Sequence, residues 1–380
     1  MTAPKIYGWC PGALRPMVSG DGLVVRIRAP LGRLKPDQTA GIAALSLRHG
    51  NGLIDLSARA NLQLRGIQKA EYAPLINGLK RLGLIDADIR RESRRNLMIA
   101  PFWRRQDDTY RVARSLAQAL ARPDAPDLPG KFGFAVDCGP APVLCASPAD
   151  IRIERAATGL ICRADGMEMG LQTDAGSAAQ VALDLADWFL KTGGARAGRG
   201  RMAQHLATTA LPKRHDIPRL AAATPPGPGV GTHGALVALE FGQIHAQTLA
   251  ALAPLGPIRL TPWRMLLLEQ AHRLPAHPQL ITHPHDPRLS ISVCTGAPGC
   301  KQSLSETRAL ARKLAGVLPR YASRPVHISG CAKGCAHPQP CAVTLTATGP
   351  DRFDLIRNGR AADAPARTGL HPHDILNGEL

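Results

Sequence analysis

Gly22-Leu-Val-Val-Arg-Ile-Arg28 is the stretch from which the fold can be read. Its β-branched run predicts a strand. A helix is expected from about Lys35 to Leu47, with Pro36 near its start. A second strand, Leu53-Ile-Asp-Leu-Ser57, runs into Arg59-Ala-Asn-Leu-Gln-Leu-Arg65-Gly66. The order returns in the second half: Gly234-Ala-Leu-Val-Ala-Leu-Glu240 as strand, Ile244 to Leu252 as helix, and Ile258-Arg-Leu-Thr-Pro-Trp-Arg264 closing the unit. Strand, helix, strand and an Arg-bearing segment, met twice, indicate an internal duplication. Two unrelated β-α-β pieces are the alternative.

Each unit is followed by a longer α/β region. The first holds a helix with Leu75, Leu79 and Leu82, the basic run Arg90–Arg95, a strand at Asn96–Ala100 and a helix near Arg111–Leu120. After the Pro-rich Arg122–Pro129 come a strand, Lys131–Val136, and a helix, Ala178–Leu190, stopping at Gly193-Gly194. Leu211–Gly231 is rich in proline and is read as the linker between halves. A matching α/β region starts at Leu289, with a hairpin signal at Asn358-Gly359 after the strand Phe353–Arg357.

The 380 residues carry 47 Lys+Arg against 29 Asp+Glu, a formal charge of +18, with 44% hydrophobic residues. That is enough apolar material for two to three domains. The charge calls for an anionic partner: nucleic acid, membrane or a polyanionic small molecule. Aromatics are 4%, too few for base-stacking platforms, and the basic residues are dispersed, so nucleic acid is not expected. No run approaches the ~18–20 apolar residues of a membrane span. The first residues lack a signal-peptide core, so a cytoplasmic protein is expected. An odd count of 9 cysteines then favours metal or redox use over disulfides.

Cys294-Thr-Gly-Ala-Pro-Gly-Cys300 and Gly330-Cys331-Ala-Lys-Gly-Cys335 carry the strongest chemical signal. Each pair follows a short apolar strand, Ile291–Val293 or Val326–Ser329, and a helix is expected between them. Ser303 and Glu306 have capping-box spacing at its start, and Leu304, Leu310, Leu314 and Val317 form its stripe. Loops at the carboxyl ends of neighbouring parallel strands would bring four thiolates together. The C-x5-C arm is wide for a zinc knuckle and suits a 4Fe–4S cube; zinc and ordinary buried cysteines are the alternatives. Cys341, Cys10, Cys138, Cys145 and Cys162 read as packed thiols.

These residues resemble the sulfite/nitrite reductase superfamily, whose members join two ferredoxin-like half-domains to two α/β domains. There a 4Fe–4S cluster lies beside sirohaem. Arg59 and Gln63 match its Arg-x-x-x-Gln signature, Arg95 its Arg-Asn-Val segment, and Lys131 the first lysine of Leu-Pro-x-Lys-Phe-Lys. The second lysine of that motif is Gly133 here, which counts against oxyanion reduction. Gly8-Trp-Cys-Pro-Gly12 through Leu23, with Arg59–Gly66, Thr261-Pro-Trp263 and Lys-Phe-Gly133, resembles the precorrin-3B synthases, the cobalamin-pathway branch, and the chain is short for a sirohaem reductase. The resemblance implies an α+β fold of five parts. Residues 1–85 and 232–284 are duplicated ferredoxin-like half-domains, related by a pseudo-twofold repeat. Residues 86–210 form an α/β tetrapyrrole-contacting domain, 211–231 the linker and 285–380 the α/β cluster domain. It implies an O2-dependent monooxygenase acting on precorrin-3A at C20 with γ-lactone formation, a mononuclear non-haem iron beside the cluster, NADH as indirect electron source and no sirohaem. A sirohaem-dependent sulfite or nitrite reductase is the alternative.

The substrate's carboxylate rim suits guanidinium groups. Arg59, Gln63, Arg65, Arg95, Lys131 and Arg259 are the candidate binding residues, with Arg26, Arg28 and Arg264 behind them. Arg26 and Arg28 share one strand face. The iron ligands cannot be read; His49, His205, His215, His245 and His337 are the candidates by position. Gly227-Pro-Gly-Val-Gly231 is no nicotinamide fingerprint, so an external reductase or ferredoxin should deliver electrons. Lys301, Lys313 and Lys333 are candidates for docking it.

Overall fold

The computed structural model describes residues 11–212, 215–318 and 324–378. Gly8, Trp9 and Cys10 of the opening motif lie outside the described residues. Four sheets organise the described residues. The first repeat is an antiparallel sheet in the order Met17–Ser19, Gly22–Ile27, Leu62–Ile67, Leu53–Leu56, and the helix Pro36–His49 covers one face. The second repeat has the same order, Gly229–Gly231, Gly234–Leu239, Met265–Leu268, Ile258–Leu260, with helix Ala246–Leu252. The Arg-bearing segment of the first unit is therefore itself a strand, closing a β-β-α-β-β half-domain.

The halves are joined by exchange. Gln243–His245 of the second repeat pairs with Leu53–Asp55 at the edge of the first sheet, and Arg33–Leu34 of the first pairs with Ile258–Arg259 at the edge of the second. Before each exchanged strand the chain kinks at a left-handed residue, Leu31 (φ 50°) and Phe241 (φ 51°). The repeat helices pack together. One core takes Val25, Ile27, Ile54, Leu62 and Leu64 from the first sheet and Val237, Leu239, Ile258, Leu266 and Leu268 from the second. Burying each Leu or Ile contributes roughly 1.5–3 kcal/mol.

The duplication extends to the α/β parts. Leu97–Ile99, Phe134–Asp137 and Ile151–Arg155 run parallel, and Leu160–Ala164 and Met169–Thr173 follow antiparallel. In the second half Ile291–Val293, Val326–Ser329 and Cys341–Gly349 run parallel, and Arg352–Gly359 and Arg367–Leu370 follow antiparallel. Helices Asp108–Leu120 and Arg308–Val317 make the equivalent crossover.

Three local expectations differ. The helix between the cysteine pairs begins after Thr307, and Ser303 turns its hydroxyl to the Ser305 carbonyl, so Leu304 is left exposed ahead of the helix while Leu310 and Leu314 are buried. In the hairpin that follows Phe353–Arg357, Asn358-Gly359 stays in the strand, with Asn358 left-handed (φ 49°) and Gly359 paired to Cys341, and the chain returns to Arg367–Leu370 only after residues 360–366. The Pro-rich linker is partly built into the sheets: Ile217–Pro218 pairs with Met169–Gly170, and Gly229–Gly231 forms a hairpin with Gly234–Leu236.

Candidate metal centre and anion site

Ile291–Val293 and Val326–Ile328 pair in parallel, so the loops carrying Cys294–Cys300 and Cys331–Cys335 emerge side by side at their carboxyl ends. Thr307 Oγ1 donates to the Cys294 carbonyl at 2.8 Å and Ser329 Oγ to that of Cys331 at 2.7 Å. Gly330 is required by close approach, since a Cβ there would lie 2.0 Å from Ser303 Oγ. None of the four thiols is in a disulfide. Burial, then the neighbouring Cys294, pushes the Cys335 thiol up to about 11, although its own surface still meets solvent at the loop rim. Cys331 is raised first by burial, with Cys294 and Cys300 adding to it. Among the described residues no three His, Cys, Asp or Glu side chains close round one ion, as zinc would require. Four unpaired thiols on two adjoining loops fit the donor set of a 4Fe–4S cluster.

Below these loops lies the outer face of the first sheet. Side chains alternate along a strand, so Val25, Ile27, Ile54, Leu62 and Leu64 enter the core while Arg26, Gln63, Arg65 and Asp55 point the other way. Register puts Arg26 beside Gln63, Gln63 beside Asp55, and Asp55 beside Gln243. With its amide turned to satisfy both groups, the Gln63 oxygen accepts from Arg26 NH2 at 2.6 Å and Nε at 3.2 Å. Asp55 accepts from Arg65 at 3.2 Å, Arg308 at 2.9 Å and Gln243 at 2.9 Å. Arg65 also binds Asp21 at 3.0 Å and the Gly299 carbonyl at 2.5 Å, tying the sheet to the first cysteine loop.

This polar face is buried: Arg26 is 6% exposed, Arg65 4% and Asp55 7%. Arg264, half-buried, lies within the field of Cys294, Arg308 and Asp55, and donates to the Ala336 carbonyl at 3.1 Å. Against these guanidiniums stand the carboxylates of Asp21 and Asp55, so positive charge is in excess. Arg26 NH1 and Arg308 Nε are buried with no hydrogen-bond partner. A buried unpaired donor on a charged group costs several kcal/mol, on the order of 1–3 or more. An anion seated on this face would supply the missing acceptors.

Arg59 and Lys131 meet at the sheet's end, where Arg59 donates to the Lys131 carbonyl at 3.0 Å. The Lys131 ammonium makes no hydrogen bond or ion pair among the described residues. Arg95 is held by Asp86 at 2.9 Å and by the Arg28 carbonyl, and Arg28 binds Asn96 and Glu92. At Gly133 a Cβ would stand 3.0 Å from both Arg59 NH1 and the Asn96 carbonyl, so a lysine there would press on both.

Other candidates lie elsewhere. In register, Arg259 is the repeat counterpart of Asp55, not of Arg59. It binds Glu269 at 2.6 Å and the Pro101 and Trp103 carbonyls, with its guanidinium 3.8 Å over the Trp103 ring. His49 pairs with Glu71 at 2.6 Å, His205 with Thr192 at 2.7 Å, His245 is exposed on the exchanged strand, and His215 lies beside Cys162 and Leu171. His337 approaches His327, whose Nε2 is 3.9 Å from Cys294 Sγ. Burial pushes the His327 imidazole down to about 4. These histidines do not gather, and among the described residues no mononuclear iron site is formed. Asp55, Gln243 and Arg308 were not singled out from the sequence; a lone Asp inside Leu53-Ile-Asp-Leu56 was the available signal.

Comparison with known proteins supplies the context. Residues 15–82 match the nitrite/sulfite reductase ferredoxin-like half domain. A precorrin-3B synthase from Sinorhizobium sp is 30% identical over 397 aligned positions, spanning 94% of this chain and 84% of that protein. A ferredoxin–nitrite reductase from Synechococcus elongatus is 29% identical over 135 residues, 33% of this chain and 26% of its own length. The Mycobacterium tuberculosis NirA structure superposes with a TM-score of 0.64 at 17% identity, covering 93% of this chain and 79% of that one, a likeness of fold.

Proposed function

Since this chain belongs to the precorrin-3B synthase family, a branch of the nitrite/sulfite reductase superfamily, we propose that it uses O2 to hydroxylate precorrin-3A at C20, with closure of a γ-lactone by a ring A acetate, in cobalamin biosynthesis. A positively charged face, with Arg26 and Arg65 buried and Arg264 and Arg308 half-buried, lies directly below the cysteine loops and carries the reading. In this reading the substrate's carboxylates take the orphaned N–H groups of Arg26 and Arg308. Charge-assisted hydrogen bonds to a guanidinium are roughly twice as strong as neutral ones and fix the ring's orientation. Lys131 and Arg59 grip the opposite rim, and Gln63 holds Arg26 in place. Arg65 acts as a strut, positioning the Gly299 carbonyl and thus the Cys300 loop over the substrate.

Cys294, Cys300, Cys331 and Cys335 would hold the 4Fe–4S cluster, which supplies electrons one at a time when bound. The electrons would come from NADH through an external reductase or ferredoxin, with Lys301 and Lys313 exposed and Lys333 half-exposed as its docking charges. The described residues do not fit a mononuclear iron, so no step is assigned to one. The second reading, a sirohaem-dependent sulfite or nitrite reductase, meets the crowding at Gly133, where the second oxyanion lysine would stand. Spectra and metal analysis of anaerobically purified protein test the choice. Broad iron–sulfur absorption without chlorin bands supports the synthase, whereas tightly held sirohaem would favour the reductase.

A further inference from the structure

A cavity of about 640 Å³ lies on the second sheet, at the repeat counterpart of the arginine face. It opens at the carboxyl ends of Leu97–Ile99 and Phe134–Asp137. Those strands correspond to Ile291–Val293 and Val326–Ser329, whose ends carry the cysteines. Crevices at the carboxyl ends of parallel strands are where α/β sheets place ligands. Here the loops beginning at Ala100 and Asp137 stand where the cysteine loops stand in the other half.

The register shows how the two faces diverged. Leu236 pairs with Leu267 in the place where Arg26 pairs with Gln63. Both leucines line the cavity, so the equivalents of the Arg26–Gln63 pair are apolar here, while Arg104 stands on the wall. Aromatic rings replace them: Phe102 lies 5.4 Å from His233 and is backed by Trp263 at 6.0 Å with nearly parallel planes (22°). Of the acids on the wall, Asp107 engages both oxygens with the backbone N–H groups of Arg104 and Tyr110.

Asp137 is different. It is 2% exposed, and its Oδ2 accepts from Val143 N at 2.6 Å and Leu144 N at 2.8 Å. Its Oδ1 receives no hydrogen bond among the described residues. Beside it the wall is glycine without evident cause. A Cβ on Gly229 or Gly231 would meet nothing within 4 Å, and one on Gly139 would meet Asp137 Oδ1 alone, at 3.8 Å. None of the three has a left-handed backbone. Neither packing nor turn geometry calls for glycine there; the effect is open space next to an unused acceptor.

We propose that this cavity binds a planar, uncharged heteroaromatic molecule whose ring N–H donates to Asp137 Oδ1 and whose faces meet Phe102 and His233. The volume is that of an ordinary small-ligand pocket, roughly 300–1,000 Å³. A buried carboxylate accepting one ring N–H gives orientation, and the leucine floor excludes the carboxylate-rimmed tetrapyrrole of the other half. The site is independent of the C20 reading.

Riboflavin is the probe, because its isoalloxazine is flat and uncharged, has one ring N–H, and loses fluorescence when stacked on aromatic rings. The cluster-loaded protein is titrated at pH 8 and followed by fluorescence, and uroporphyrin binding is measured in parallel as a report on the arginine face. Saturable one-to-one riboflavin binding is expected. It should weaken at least about tenfold with N3-methylriboflavin, in Asp137→Ala and in Gly229→Leu, while uroporphyrin binding stays unchanged. Gly229→Leu fills the cavity without touching the Asp137 loop, so it decides the matter even if Asp137→Ala does not fold. No saturable binding up to about 1 mM, a limit equal to about 4 kcal/mol, would overturn the proposal. So would equal affinity for riboflavin, its N3-methyl form and the Gly229→Leu protein.

Discussion

Asp55→Asn separates a site that waits for an anion from a merely structural charge network. Asp55 sits between Arg65 (3.2 Å) and Arg308 (2.9 Å), and accepts from Gln243 on the exchanged strand. Burial alone would raise its carboxyl, but Arg308 and then Arg65 outweigh it and hold the group below the usual carboxylate range. Its stabilising effect is therefore present above the unfolded value and is lost as pH falls through the folded one. Asparagine keeps the shape and removes the charge. Taking one partner from a buried ionic network costs about 3–5 kcal/mol, because the remaining charges stay buried and uncompensated. Guanidinium denaturation at pH 7 reads that loss directly. Tetrapyrrole binding should move the other way. A unit charge at about 8 Å, with an effective dielectric constant of about 20, contributes about 2 kcal/mol. Removing this repulsion should tighten uroporphyrin binding about 30-fold, measured by absorbance titration at fixed salt. A folded Asp55→Asn protein with unchanged or weaker uroporphyrin affinity would refute the anion-site reasoning.

Three further outcomes follow from the same geometry. Cys331→Ser should abolish the iron–sulfur absorption and lower the iron content, while far-UV circular dichroism stays close to that of the parent. Lys131→Ala should weaken uroporphyrin binding severalfold at low salt and less at about 0.5 M, where the Debye length is only a few ångströms; an equal loss at both salts would point to packing instead. Burial pushes the Asp137 carboxyl up to about 6, so the folded protein holds this proton more tightly than the unfolded chain. That contribution favours folding increasingly as pH falls from about 7 towards 4, by at most about 3 kcal/mol. Asp137→Asn should flatten that part of the stability-against-pH curve in urea melts.

The duplicated strand-helix-strand pattern was legible because its strands bury an apolar face: Val25 and Ile27, then Val237 and Leu239, stand out at period two. The paired cysteine strands were legible for a similar reason, since Ile291–Val293 and Val326–Ser329 are short, apolar and followed by glycine-rich loops. The exchanged strands Arg33–Leu34 and Gln243–His245 were not, because two or three residues carry no period and their partners lie in the other half. Asn358-Gly359 carries a turn signature and Asn358 is left-handed (φ 49°), but Gly359 still pairs with Cys341, so the chain turns only beyond it, through residues 360–366. The meeting of Asp55 with Arg308 joins a half-domain strand to the helix Arg308–Val317 of the second α/β part, a contact set by packing and invisible to local pattern. Arg259 shows the converse: it was a candidate for the carboxylate rim, and Glu269 with the Trp103 loop captures it.

The proposed reaction puts one atom of dioxygen into a tetrapyrrole seated beneath the cysteine loops. Precorrin-3A is incubated under 18O2 with the anaerobically purified protein and a low-potential reductant, and the product is analysed by mass spectrometry. One 18O atom per product molecule, lost in the Cys331→Ser protein, is the expected result. Unlabelled or unconsumed precorrin-3A, together with six-electron reduction of sulfite by the same preparation, would contradict it.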